Sequence, residues 1–168
     1  MSNALYTQLA WLPAAPEDFS ASCRHLLNDP ADLGRRLQHL ANHALDENQL
    51  NRLAKVIDKA RDAGQSLAPL TAFRIGIISN ATSHFIVPAL IASAARHGIA
   101  LECIEADYDQ VMQAALSADL PIHQAKCDAV LVAVDHRGLP LGFTPGDPQG
   151  AQASVQAALG HLEMIRSG

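Results

Sequence analysis

The sequence predicts an α/β protein: a parallel sheet covered by helices on both faces, three layers in all, preceded by an all-helical N-terminal segment. Three observations carry this. The first 65 or so residues show helical periodicity and helix-start signals. From Arg74 onward, short β-branched runs alternate with helical stretches. Hydrophobic residues make up 49% of the 168 residues but aromatic ones only 4%, a balance that disfavours an all-β fold.

The elements follow in order. Asn3 to Leu12 reads as a short amphipathic helix ending before Pro13. Pro16-Glu17-Asp18-Phe19 is a helix start, with acids at the positive end of the dipole and an inner face of Phe19, Cys23, Leu26 and Leu27. Asp29-Pro30 opens the next helix, with Leu33, Leu37, Leu40 and Leu45 inward. Asp46 caps a fourth, lined by Leu50, Leu53, Ile57 and Ala60 and ended by Gly64. Gln65 to Ala72, with Pro69, is the connector, which divides the chain into a helical segment 1–68 and a sheet domain 69–168.

Arg74 to Ile78 is the first strand and stops at Ser79-Asn80-Ala81-Thr82-Ser83. A helix from Ser83 to His97 closes at Gly98, and Pro88 imposes a kink or a late start. Ala100 to Glu105 is the second strand, Asp107 to Ala118 a helix, and Asp128 to Val134 the third strand. His136 to Pro148 is a loop, and Gln149 to Ile165 a last helix with Val155, Leu159, Leu162 and Ile165 on one face. Three strands leave a sheet edge open, which the N-terminal helices, the rest of a larger protein or a second copy in a homodimer would cover.

Composition excludes several classes. The net charge of −5 shows no basic stripe for nucleic acid. No run of 18 apolar residues offers a membrane span, and the N-terminus carries no secretory signal, so a cytoplasmic location is expected. Three widely spaced cysteines without a CxxC pair suit a reducing compartment and offer no zinc ribbon.

Candidate chemistry gathers where strands end. Ser79, Asn80, Thr82 and Ser83 present hydroxyls and an amide at a helix start, suited to an anion or to capping, and His84 lies within reach. Asp135 and His136 close the third strand. They form an acid/base pair only if the loop relaxes the alternation of faces, and otherwise a solvated loop end. Glu105, Asp107 and Asp109 could hold Mg²⁺, though such a run more often solvates a helix start. No metal site is expected. His39 and His43 have the spacing of a zinc pair without the HExxH glutamate, and His25, His97, His123 and His161 belong to no constellation.

The block Arg74 to Leu139, "RIGIISNATSHFIVPALIASAARHGIALECIEADYDQVMQAAL" and then "CDAVLVAVDHRGL", resembles the N-terminal region of FkbH-like proteins, haloacid dehalogenase superfamily subfamily IIIC. The shared pattern is a strand ending in a Ser79-Asn80-Ala81-Thr82 turn, Pro88 in the following helix, the Glu105 to Gln110 stretch, and a Cys127-Asp128 start to the third strand. The resemblance implies a flavodoxin-like, SGNH-hydrolase-like sheet. It also implies a role in polyketide or polysaccharide biosynthesis beside an acyl carrier protein. The family's transferase chemistry and its Mg²⁺ belong to a downstream phosphatase-like domain, whose DxDxT motif does not occur before Gly168. In the SGNH comparison Ala81 stands where the nucleophilic serine belongs and Asn80 where the acid belongs. The domain is therefore expected to bind or position an acyl carrier protein or the catalytic domain, with Arg35, Arg36, Arg52 and Lys55 as a local basic patch. Two other readings are an SGNH-type esterase or acyltransferase, with Ser79 or Thr82 attacking and His84 or His136 nearby, and a plain flavodoxin-like ligand-binding domain.

Overall fold

The computed structural model describes residues 11–29, 31–142 and 144–168. The expected helix at Asn3 to Leu12 lies almost wholly outside them. The chain divides into two compact units: Met1–Phe73 with Phe85–Glu102, and Arg74–His84 with Cys103–Gly168.

The first unit is helical. α1 (Phe19–Leu26), α2 (Leu33–Ala41), α3 (Glu47–Asp62) and α4 (Val87–Arg96) pack on one another. Phe19, Cys23, Leu37, Leu53 and Ile57 are almost fully buried between them, and Ile91, Ala92 and Ala95 join from α4. The strongest local signal is at α3. The Asp46 side chain accepts from the Gln49 N–H at 2.8 Å, and the Gln49 side chain accepts from the Asp46 N–H at 2.9 Å. This reciprocal capping box satisfies two otherwise orphaned donors. Arg96 ties α4 to the end of α2, its Nε donating to the Ala41 carbonyl at 2.8 Å and its Nη2 to the His43 carbonyl at 3.2 Å. α2 begins at Leu33 rather than at Asp29-Pro30, and Leu45 falls beyond it. Pro88 sits in the first turn of α4, so the proline sets a late start and not a kink.

β1 (Thr71–Ser79), β2 (Ile99–Glu105) and β3 (Ala129–Ala133) form a three-stranded parallel sheet in the order β2-β1-β3, so the protein is mixed α/β. β1 pairs with β3 in the register Ile75 opposite Ala129 through Ser79 opposite Ala133. β1 starts three residues before the expected Arg74, because Thr71 to Phe73 are exposed and joined by main-chain bonding, which leaves no hydrophobic period to read.

In the second unit, Ile78, Val111, Ala114, Ala115, Ile122 and Ile165 form the core. α5 (Val111–Leu116) is shorter than the expected Asp107 to Ala118, since Asp109 takes a left-handed φ of 58° that no helix interior accommodates. A short α6 (Pro121–Gln124) was not expected. Its Ile122 lies over Gly76, where a Cβ would come within 2.8 Å of the isoleucine side chain. Part of the expected loop is a 3₁₀ turn, His136–Gly138.

Two expectations of burial need correction. β3 was read as covered on both faces, yet Val130, Leu131 and Val132 are 52%, 37% and 40% exposed. On α7 (Pro148–Ser167), the stripe of Val155, Leu159 and Leu162 is also open to solvent, and only Ala158 and Ile165 are buried. Of the expected stripe only Ile165 is buried, and Ala158, one position off it, is the other buried residue, so among the described residues both faces remain partly open.

Candidate functional site

β1 is central, and the sheet is extended on one side by β2 and on the other by β3. Strand order therefore reverses direction at β1, and a crevice outside the carboxyl ends of β1 and β3 is where open α/β sheets take their ligands. Ser79 and Asn80 close β1 there, and Asp135 follows β3.

Asn80 and Asp135, 55 residues apart in sequence, interlock. The Asn80 Nδ2 donates to Asp135 Oδ1 at 2.7 Å, and the Asp135 N–H donates to Asn80 Oδ1 at 2.9 Å. Asp135 Oδ1 also accepts from the Arg137 N–H at 2.9 Å, forming the N-cap of the 3₁₀ turn. These hydrogen bonds, the Asn80 amide first and the Arg137 N–H next, hold the Asp135 carboxyl below its ordinary pKa. Gly138 leaves room for the pair, for a Cβ there would lie 2.8 Å from the Asn80 carboxamide carbon.

Ser79 is buried. Its Oγ donates to the Ala133 carbonyl at 2.9 Å and accepts from the Ala81 N–H at 3.0 Å. The hydroxyl that could attack a carbonyl thus bridges β1 to β3, and the partners it has are main-chain groups, not an imidazole. Thr82 and His136 are exposed. Ser83 donates a short hydrogen bond to Glu105 Oε1, and His84 Nδ1 lies 4.0 Å from Glu105 Oε2. Ser83 and His84 are therefore brought together around Glu105.

Asp107 is exposed beside Glu105 and Gln110 at a cavity of about 40 Å³, too small for more than a water or two. Asp109 lies on a different cavity. With Glu105 engaged by Ser83, the three acids do not form a magnesium cradle. No group of three or more His, Cys, Asp or Glu side chains is placed to hold a metal ion among the described residues. His39 and His43 meet edge to face, with ring centroids 5.4 Å apart.

The larger opening at the rim has about 360 Å³ and is lined by Asn80, Asp109, Gln110, Gln113, Arg137 and His161. Arg137 and His161 were not expected here. Arg137 was legible only as a neighbour of Asp135. His161 belongs to α7, and nothing in its local sequence points to a partner more than twenty residues away. No helix among the described residues is long and apolar enough to cross a membrane.

No protein family, curated protein or solved structure matches the chain.

Proposed function

We propose that the chain is a non-catalytic docking domain of an FkbH-like protein of polyketide or polysaccharide biosynthesis, acting in the cytoplasm. In this reading it holds an acyl carrier protein, or a phosphatase-like catalytic domain of the haloacid dehalogenase type, in working position. The transferase chemistry and its Mg²⁺ belong to that catalytic domain.

The observation that carries this reading is the state of the Ser79 hydroxyl, engaged at once by the Ala133 carbonyl and the Ala81 N–H. A nucleophile needs an adjacent base to take its proton. Here the proton is committed to a main-chain oxygen. The carboxylate that follows β3, Asp135, is itself committed to Asn80 and Arg137. An esterase would need both groups released.

The exposed apolar residues of β3 and α7 support the docking half of the proposal. A row such as Val130 and Val132 on an outer strand is costly to leave in water and fits a surface that another protein covers. With that cover, the sheet would have the three-layer, SGNH-like arrangement. Isothermal titration with an acyl carrier protein tests the proposal. Saturable binding supports it, and no heat at high concentration of both proteins contradicts it.

A further inference from the structure

The basic patch expected from Arg35, Arg36, Arg52 and Lys55 is divided by the fold. Arg36 pairs with Asp29 at 2.9 Å, and Arg35 lines a groove that also holds Asp29 and Asp32. Arg52 and Lys55 instead share a second groove with Arg24 and Lys59, a cavity of about 600 Å³ between α1 and α3.

Three features set this second groove apart. No carboxylate lines it, although acids outnumber bases 17 to 12 in the chain. Among the described residues none of its four cations forms an ion pair, whereas Arg36 and Arg61 both do. Its floor is apolar, made by Cys23, Leu27 and Val56. Four like charges around one groove repel one another and raise the local potential, which favours an external anion there.

The layout of the charges selects the kind of anion. Arg52, Lys55 and Lys59 stand at i, i+3 and i+7 on α3, so they form one row about 10 Å long. A lone phosphate would meet one or two of them. A row beside an apolar floor matches a helix that carries acids at the same spacing and leucine-like residues between them.

We infer that the α1/α3 groove is the docking surface for an acidic amphipathic helix of a protein partner. This rests on the carrier-binding reading above and names the surface that would serve it.

The test uses the full chain and its Arg52→Glu/Lys55→Glu variant. Both positions are exposed, so the fold should survive, and circular dichroism with a melting curve checks that it does. Four probes are titrated: a helical peptide with glutamates at i, i+3 and i+7 beside leucines, a scrambled peptide of the same composition, inorganic phosphate with a single-stranded oligonucleotide, and an acyl carrier protein. The inference expects the ordered peptide and the carrier protein to bind the native chain. Binding should weaken on the order of tenfold or more in the variant and fall with added salt. Equal binding of ordered and scrambled peptides overturns it, as does binding of the oligonucleotide or phosphate alone. Carrier binding that the variant leaves unchanged overturns this groove but leaves the carrier reading standing. Peptide binding without carrier binding does the reverse.

Discussion

Asn80 and Asp135 clasp each other through two hydrogen bonds, side chain to side chain at 2.7 Å and main chain to side chain at 2.9 Å, across the carboxyl ends of adjacent strands. The clasp fixes the turn after β1 against the turn after β3. It also spends the acid that the rim would otherwise offer for chemistry.

The clasp has a pH signature. The Asp135 pKa is depressed by the Asn80 amide and then by the Arg137 N–H. A depressed folded-state value contributes stability that is present above the ordinary carboxylate value, about 3.9, and is lost as pH falls through the folded value. Asn80→Ala should move the Asp135 titration upward, toward that ordinary value. Side-chain carboxyl shifts followed by NMR from pH 6 downward check this. An unchanged titration would mean that the amide does not hold the acid.

Gly138 protects the same clasp from the other side. A methyl group there presses on the Asn80 carboxamide and on Val134. Gly138→Ala should cost about 1–3 kcal/mol, the usual range for overpacking. It should also raise the Asp135 titration in the same direction as Asn80→Ala. Urea unfolding gives the first quantity and NMR the second.

Ser79→Ala removes one bond to the Ala133 carbonyl and one from the Ala81 N–H in a buried position. The expected loss is about 1–2 kcal/mol of stability in urea unfolding. Hydrolysis of nitrophenyl acetate should be equal for native and variant proteins, both at background. A native rate above background that disappears with the hydroxyl would restore the esterase reading.

Cys23 reports on the helical unit. Burial pushes its thiol from 9.0 up to about 11, against a smaller opposing effect of Arg52. A raised folded-state value favours the protonated thiol in the folded chain, so stability is full below pH 9 and falls as pH climbs toward 11. In a Cys103→Ala/Cys127→Ala background, Ellman's reagent at pH 8 should label Cys23 slowly in the folded protein and at once in urea. Equal rates would place the thiol at the surface.

The sequence was informative wherever a signal was local. Asp46 announces the start of α3, and Phe19, Cys23 and Leu26 mark the buried face of α1. The end of β1 as a polar turn was equally plain. The Asn80–Asp135 clasp was not, because its partners meet only when β1 and β3 pair. His161 reached the rim for the same kind of reason. The stripe on α7 shows a different limit: periodicity tells which of Val155, Leu159 and Leu162 share a face, not whether anything lies against that face.

A docking domain of this kind binds a protein partner without using its rim for chemistry. An amide-resolved NMR titration of the labelled chain with an acyl carrier protein measures that directly. Saturable shifts concentrated on α1 and α3, with Ser79, Asn80 and Asp135 undisturbed, are the expected result. An unchanged spectrum at saturating carrier protein, or shifts confined to the Ser79 to Ser83 turn, would contradict it.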